Sequence, residues 1–279
     1  MLAVLTQPLA LVAPLALVAL LAPMANGQPG PQKAAPLREE PFLPEEAAAL
    51  ADLPLGLTVR NERPLELAMT RLREGDHVIV GANQVGIVQK LPKGIIKVLF
   101  LPSKDFDLLK TEQWQTAMKA ADMFTLDDTK DVEAAKFLRK TAGQYGKKVM
   151  LAPTGEVADK IAKDMAPYGD VFLLQAQRWL QDDTSRELKP FCDKVHQLAG
   201  EIRKGNPKAV IWLQVGRRLD RGGGTAGLFI HAYARLRAAH PEDIQMMHPF
   251  IGGGDSPKPG HGFAALEKFL DALRPTTKK

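Results

Sequence analysis

The chain alternates between short apolar runs of the kind that form β-strands and longer segments with the periodicity of amphipathic helices. One such helical stripe contains Phe191, Val195, Leu198 and Ile202, a spacing that places all four on one helix face. The strand runs are apolar on both sides, as at 171–174, which is typical of parallel strands covered by helices. The predicted strands are 57–59, 77–80, 95–101, 122–126, 148–151, 171–174, 209–213 and 244–247.

Eight strand–helix units in roughly 220 residues favour a (β/α)8 TIM-type barrel, whose compact members have about this length. We predict one barrel domain over 55–275. An open doubly wound α/β sheet needs the same alternation and is the alternative, although no Gly-x-Gly-x-x-Gly opens a helix after an early strand. Residues 76–100 also fit a small antiparallel barrel. The second unit has room only for a short, irregular helix at 84–90.

The N-terminal segment is typical of an export signal. No charged residue precedes Lys33, and 9–22 is almost entirely Leu, Ala and Val, which is short for a membrane span and typical of a signal-peptide core. We predict a signal peptide at 1–27, cleaved after Gly27, and a secreted or periplasmic protein. The alternatives are a misassigned start and an uncleaved anchor, in which case the membrane is contacted only through this segment. Residues 28–54 are rich in proline, which predicts an extended arm or linker with a short helix at 45–51.

Composition narrows the function classes. The 45% hydrophobic content excludes an intrinsically disordered chain. The net charge of +5 is scattered, and no basic run interleaved with aromatic residues indicates a nucleic-acid groove, so we expect no nucleic-acid partner. Cys192 is the only cysteine, which excludes an intrachain disulfide and a cysteine-based zinc site. The sequence predicts no cofactor and no metal.

Polar residues at the predicted strand ends are the candidate ligand contacts, because a barrel of this type carries its functional site on the loops after the strands. Gln175 and Gln177 are two residues apart and are predicted to point the same way, and Gln214 lies at the matching end of the next strand. Such amides suit sugar hydroxyls, with Trp179 available to stack on a ring. Bridging of strands or loops by these amides is the structural alternative. The predicted binding set is Asn83, Gln175, Gln177, Trp179, Gln214 and Arg217.

Glycoside hydrolysis needs two carboxyl groups facing the scissile bond. The candidates are Glu62, Asp105, Asp127 and Glu156, although Asp127 and its neighbour Asp128 equally suit the N-cap of a helix starting near Lys130. His248, at the end of the last predicted strand, is a candidate general acid/base or anion ligand. It lacks a set of partners at metal-ligand spacing, which argues against a metal site.

Glycine runs after the last two predicted strands are typical of loops that bind a phosphate group or another anion. Residues 222–224 follow Arg217, and 252–254 follow the eighth strand. Barrels often bind phosphate through the backbone amides of these two loops. A barrel for a phosphorylated or anionic ligand is therefore the alternative function, and a non-catalytic cell-envelope scaffold is a third.

The segment 170–216 resembles uncharacterised secreted bacterial proteins with a barrel distantly similar to glycoside hydrolases. The resemblance rests on the run from Asp170 to Gln177, a helix ending at Asn206, and a strand ending in Gln214. It implies the barrel fold and secretion. Together these features predict an exported barrel that acts on or binds a carbohydrate or another small polar ligand, as a glycoside hydrolase or an inactive relative; the sequence does not decide whether it is an enzyme.

Overall fold

The computed structural model describes residues 41–59, 62–102, 106–126, 128–183, 187–216, 225–250 and 263–275. Eight parallel strands form one sheet in chain order. Each of the eight predicted strands is confirmed. Their bounds are β1 Gly56–Val59, β2 His77–Val80, β3 Ile96–Phe100, β4 Met123–Thr125, β5 Lys148–Leu151, β6 Val171–Gln175, β7 Val210–Val215 and β8 Met246–Pro249.

The first and last strands lie side by side and close the sheet into a barrel. Leu55, just before β1, forms a parallel bridge with Met247 of β8, and the Met247 amide donates to the Pro54 carbonyl at 3.0 Å. This contact excludes the open doubly wound sheet. The parallel pairing of β2 with β3 likewise shows that a separate antiparallel barrel at 76–100 was wrong.

Helices follow the strands as the periodicity predicts. The second unit has a 3-10 helix, Ala82–Lys90, in agreement with the short, irregular helix expected there. One helix, α6, was not predicted, because six residues are too few to show a periodic stripe. The helices are α1 Pro44–Leu50, α2 Glu62–Arg71, α3 Glu112–Ala120, α4 Val132–Gln144, α5 Gly155–Met165, α6 Gln177–Asp182, α7 Lys189–Gly205, α8 Ala226–Ala239 and α9 Phe263–Leu273.

Side chains that alternate along the strands supply two cores. Leu57, Leu99 and Phe124 point outward into the layer between sheet and helices. Val98 and Trp212 point into the barrel and belong to a separate inner cluster. Both sets are buried, which explains why the strands are apolar on both faces.

Part of the proline-rich arm is packed against the barrel. Leu50 of α1 is fully buried, and α1 contacts α8 and α9. The Asp52 carboxylate pairs with the Arg237 guanidinium, with Oδ2 2.9 Å from Nη2. The predicted signal peptide lies outside the described residues, so export and cleavage stay predictions. Among the described residues, no helix has the length and apolar character needed to cross a membrane.

Candidate functional site

Three polar side chains converge on neighbouring strands at the C-terminal end of the barrel. Gln175 is the last residue of β6 and lies opposite Gln214 of β7, which in turn lies opposite His248 of β8. Residues paired in register point to the same face of a sheet. Since the inner-core residues Leu173 and Trp212 precede the two glutamines by two positions, all three side chains point into the barrel.

Gln177 joins this group by a route that the sequence did not predict. It is the first residue of α6 rather than part of β6, so the expectation that it shares a strand direction with Gln175 was wrong. Its Nε2 nevertheless donates to the Gln214 Oε1 at 2.6 Å. Both side chains are buried.

Gln175 holds a carboxylate at the same rim. Its Nε2 donates to Asp128 Oδ1 at 2.9 Å and to the Ala152 carbonyl at 3.0 Å. Asp128 has a φ of 51°, a left-handed conformation that costs free energy in residues other than glycine and is enriched at functional sites. The N-cap of α4 is Asp131, which accepts from the Ala134 amide at 2.7 Å. The capping role considered for Asp128 was therefore wrong.

Trp179 lies beside the rim on α6. It is partly buried and packs against the N-terminus of α5, where a Cβ added to Gly155 would lie 3.2 Å from the indole. The adjacent Arg178 pairs with Glu156 of α5. Both contacts join α6 to α5, which positions the indole at the edge of the mouth.

A series of hydrogen bonds runs from the rim into the barrel interior. Thr58 Oγ1 lies 2.9 Å from His248 Nε2, and His248 Nδ1 lies 2.8 Å from His77 Nε2. The other nitrogen of His77 faces the Met246 sulfur, and its ring stacks on Trp212 with 4.1 Å between centroids. Both imidazoles are buried.

The hydrogen-bond partners determine which atom donates and which accepts along this series of hydrogen bonds. Burial lowers the pKa of His77 well below its ordinary value and lowers that of His248 to about 3, so both rings are neutral at neutral pH. A thioether sulfur only accepts, so His77 carries its proton on Nδ1 and accepts at Nε2 from His248. The His248 Nε2 then accepts from Thr58. Thr58 is a partly buried residue, and its oxygen keeps its lone pairs for a donor in the mouth.

A side-chain to backbone network holds His248 in place. Its amide donates to the Tyr233 hydroxyl at 2.9 Å, and that hydroxyl donates to the Leu213 carbonyl at 3.0 Å. A base whose pKa lies near 3 has little proton affinity at neutral pH. The hydrogen bonds of His248 with Thr58, His77 and Tyr233 support a positioning role, and the predicted acid/base role remains a prediction.

The other predicted site residues lie wholly or partly outside the described part of the chain. Glu62 begins α2, and Asn83 lies in the 3-10 helix after β2, but neither side chain is among the described ones. Asp105, Asp127 and Arg217 fall between the described ranges, as do both glycine runs. Their predicted catalytic and binding roles stay predictions. Thr58 and Asp128 are rim residues absent from the predicted set.

The rim offers hydrogen-bonding atoms that the described protein groups do not use. The amide pairings leave Gln214 Nε2, Gln177 Oε1, Gln175 Oε1 and Asp128 Oδ2 without a partner among the described residues. These atoms are at least partly accessible to solvent, because none of them is among the buried unpaired atoms of the described residues. One unpaired amide nitrogen and several acceptor oxygens are thus available to a ligand.

Comparisons with known proteins support the fold. No protein-family profile and no curated protein matches the sequence. Among similar solved structures is an active-site mutant of Rhizomucor miehei β-1,3-glucanosyltransferase in complex with laminaritriose, with 12% identity, a TM-score of 0.50, and coverage of 76% of this chain and 91% of that chain. A glycoside hydrolase family 17 β-1,3-glucanosyltransferase from Rhizomucor miehei has 12% identity, a TM-score of 0.49 and coverage of 75% and 90%. A 3-hexulose-6-phosphate synthase has 15% identity, a TM-score of 0.47 and coverage of 79% and 100%. At these identities the likeness concerns the barrel fold, which is shared by enzymes of different chemistry.

Proposed function

We propose that the C-terminal mouth of this barrel binds a neutral carbohydrate. The observation that carries the proposal is the pair of interlocked amides, Gln177 with Gln214, beside a carboxylate held by Gln175. These groups lie at the end of the barrel where TIM-type proteins bind their ligands.

The hydrogen-bonding inventory of the rim suits sugar hydroxyls. Each hydroxyl both donates and accepts, and the rim presents one amide donor, amide acceptors and the outer oxygen of Asp128. Amides whose inner atoms are already paired are held in one orientation, so a ligand gains hydrogen bonds without ordering them. Trp179 supplies an apolar ring at the edge of the mouth, which suits the apolar face of a sugar.

The described residues support recognition more directly than bond cleavage. A glycoside hydrolase needs a second carboxyl group opposite the first, and within the described part of the rim Asp128 is held by Gln175 while Glu156 pairs with Arg178. Hydrolysis would draw its second carboxyl from Glu62, Asp105 or Asp127. We therefore propose that the barrel binds carbohydrate. If it is also an enzyme, the reaction that fits this site is glycoside hydrolysis.

We expect Gln214→Leu to weaken binding of a neutral oligosaccharide at least 10-fold. The change removes the free Nε2 donor and leaves the Gln177 amide unpaired in a buried place, and tenfold corresponds to about 1.4 kcal/mol, the scale of one such loss. The measurement is isothermal titration calorimetry, with the oligosaccharide first chosen by thermal shift from a panel that includes laminaritriose.

Gln197→Leu is the matched control, because Gln197 is exposed on α7 and pairs only with Lys194 among the described residues. It is expected to bind like the wild type. Stabilisation by sugar phosphates but not by neutral saccharides would overturn the proposal in favour of the anionic-ligand barrel. A panel in which no saccharide binds would favour the scaffold.

A further inference from the structure

A second group of polar side chains lies at the opposite end of the barrel. His240 caps the C-terminus of α8, and Glu242 and Asp243 form the 3-10 helix that leads toward β8. His196 approaches from α7. Because these residues lie around the connection that enters β8, they are far from the mouth, and the proposed carbohydrate site does not use them.

The four side chains converge on one point. One potential ligand atom from each of His196, His240, Glu242 and Asp243 lies within 4.8 Å of all the others. His196 Nδ1 lies 2.7 Å from Asp243 Oδ2 and 3.7 Å from Glu242 Oε1. The donor set is two imidazoles and two carboxylates.

The position of the His240 side chain in this cluster is not explained by an ion pair. Its ring stacks on His196 with centroids 4.0 Å apart and 12° between the planes, yet it forms no hydrogen bond or ion pair with any described residue. A structural role for Asp243 needs only Arg203 and His196, which already bind its two oxygens. His240 adds a second imidazole nitrogen beside two carboxylates without a hydrogen bond of its own.

We propose that His196, His240, Glu242 and Asp243 form a binding site for a divalent transition-metal ion, with Zn²⁺ as the best match. Imidazole nitrogen and carboxylate oxygen bind Zn²⁺ at about 2.0–2.2 Å in a tetrahedron, which places ligand atoms about 3.4 Å apart. Ligand atoms that are now up to 4.8 Å apart would draw together on binding, and the hydrogen bond between His196 Nδ1 and Asp243 Oδ2 would be exchanged for bonds to the ion.

The surroundings orient the buried ligand. Arg203 pairs with Asp243 Oδ1 and its other terminal nitrogen donates to the Glu242 carbonyl at 2.5 Å, so the remaining oxygen, Oδ2, faces the cluster. Groups that orient a ligand in this way tune metal affinity. The guanidinium charge beside Asp243 lowers the affinity of the site for a cation. A bound ion would join α7 to the connection before β8.

Zinc titration of the chelator-treated full chain tests the site. Isothermal titration calorimetry is expected to show saturable binding of one Zn²⁺ per chain and a rise in melting temperature on addition of zinc. His240→Gln is expected to weaken this binding at least 10-fold, and Glu242→Gln is expected to weaken it as well. Glu242→Gln provides a second route if His240→Gln alters the fold.

His231→Gln is the matched control. His231 lies on α8 and pairs with Glu46, outside the cluster, so this variant is expected to bind zinc as the wild type does. Absence of saturable zinc binding in the wild type would overturn the proposal. So would equal affinity in the wild type and in both cluster variants, because the ion would then bind elsewhere.

Discussion

Gly56→Ala is expected to destabilise the protein by about 3 kcal/mol, the upper range for overpacking a core. A Cβ at Gly56 would fall inside the imidazole of His77. That ring is held on its other sides, since it stacks on Trp212 and is hydrogen-bonded to His248. It therefore has no room to move away. Chemical denaturation monitored by circular dichroism measures the change in the free energy of unfolding.

A double-mutant cycle separates this clash from a general effect of replacing glycine. In a His77→Ala background the same Gly56→Ala change is expected to cost less than about 1 kcal/mol, because the imidazole is gone. Gly143→Ala in α4 is a matched control, since a Cβ there meets nothing within 4 Å, and it is expected to stabilise the helix by up to about 1 kcal/mol. An equal cost of Gly56→Ala in both backgrounds would contradict the packing described here.

Acidification from pH 7 to pH 5 is expected to cost at least about 2 kcal/mol of stability through the two buried histidines. Burial holds the pKa of His248 at about 3 and that of His77 well below its ordinary value, whereas both have a pKa near 6.5 in the unfolded chain. Below pH 6.5 the unfolded state therefore binds more protons, and stability falls as the pH falls. His248 contributes about 2 kcal/mol over this interval, and His77 adds to the loss in the same direction.

Between pH 7 and pH 5 the change in stability from the buried histidines is separated from that of the ion-paired carboxylate of Asp52, which titrates at lower pH. Asp52, whose pKa Arg237 lowers to about 2, loses its contribution only below the ordinary aspartate pKa, near pH 4. Denaturation curves at several pH values give the slope. His248→Gln is expected to reduce the loss between pH 7 and pH 5 by about 2 kcal/mol and to leave the part that comes from His77. An unchanged slope in this variant would contradict a buried neutral pair.

The fold could be predicted because each strand and most of the helices show a recognisable pattern of apolar residues within their own sequence. A strand covered on both faces is a short apolar run, and a covering helix shows a 3.6-residue stripe, as with Phe191 to Ile202 on α7. Neither of these local patterns depends on contacts between distant parts of the sequence. Closure of the sheet does depend on such a contact, because it rests on the bridge between Leu55 and Met247. The barrel therefore had to be inferred from the number and length of the units.

The candidate site was predictable only where its residues follow strand ends. Gln175 and Gln214 were found in this way, whereas Gln177 was expected to continue the strand direction of Gln175 because α6 is too short to show a helical pattern. Thr58 was missed, since its partner His248 is 190 positions away in the chain. Such contacts depend on strand register around the barrel, which no local pattern encodes.

Side-chain amide resonances provide the most direct test of the rim as a ligand site. In a ¹⁵N correlation spectrum, the NH₂ groups of Gln175, Gln177 and Gln214 can be assigned by single replacements. On titration with the oligosaccharide selected by thermal shift, these three pairs of resonances are expected to move together and saturate with one dissociation constant. Saturable binding that leaves all three unmoved would place the ligand elsewhere and contradict the account.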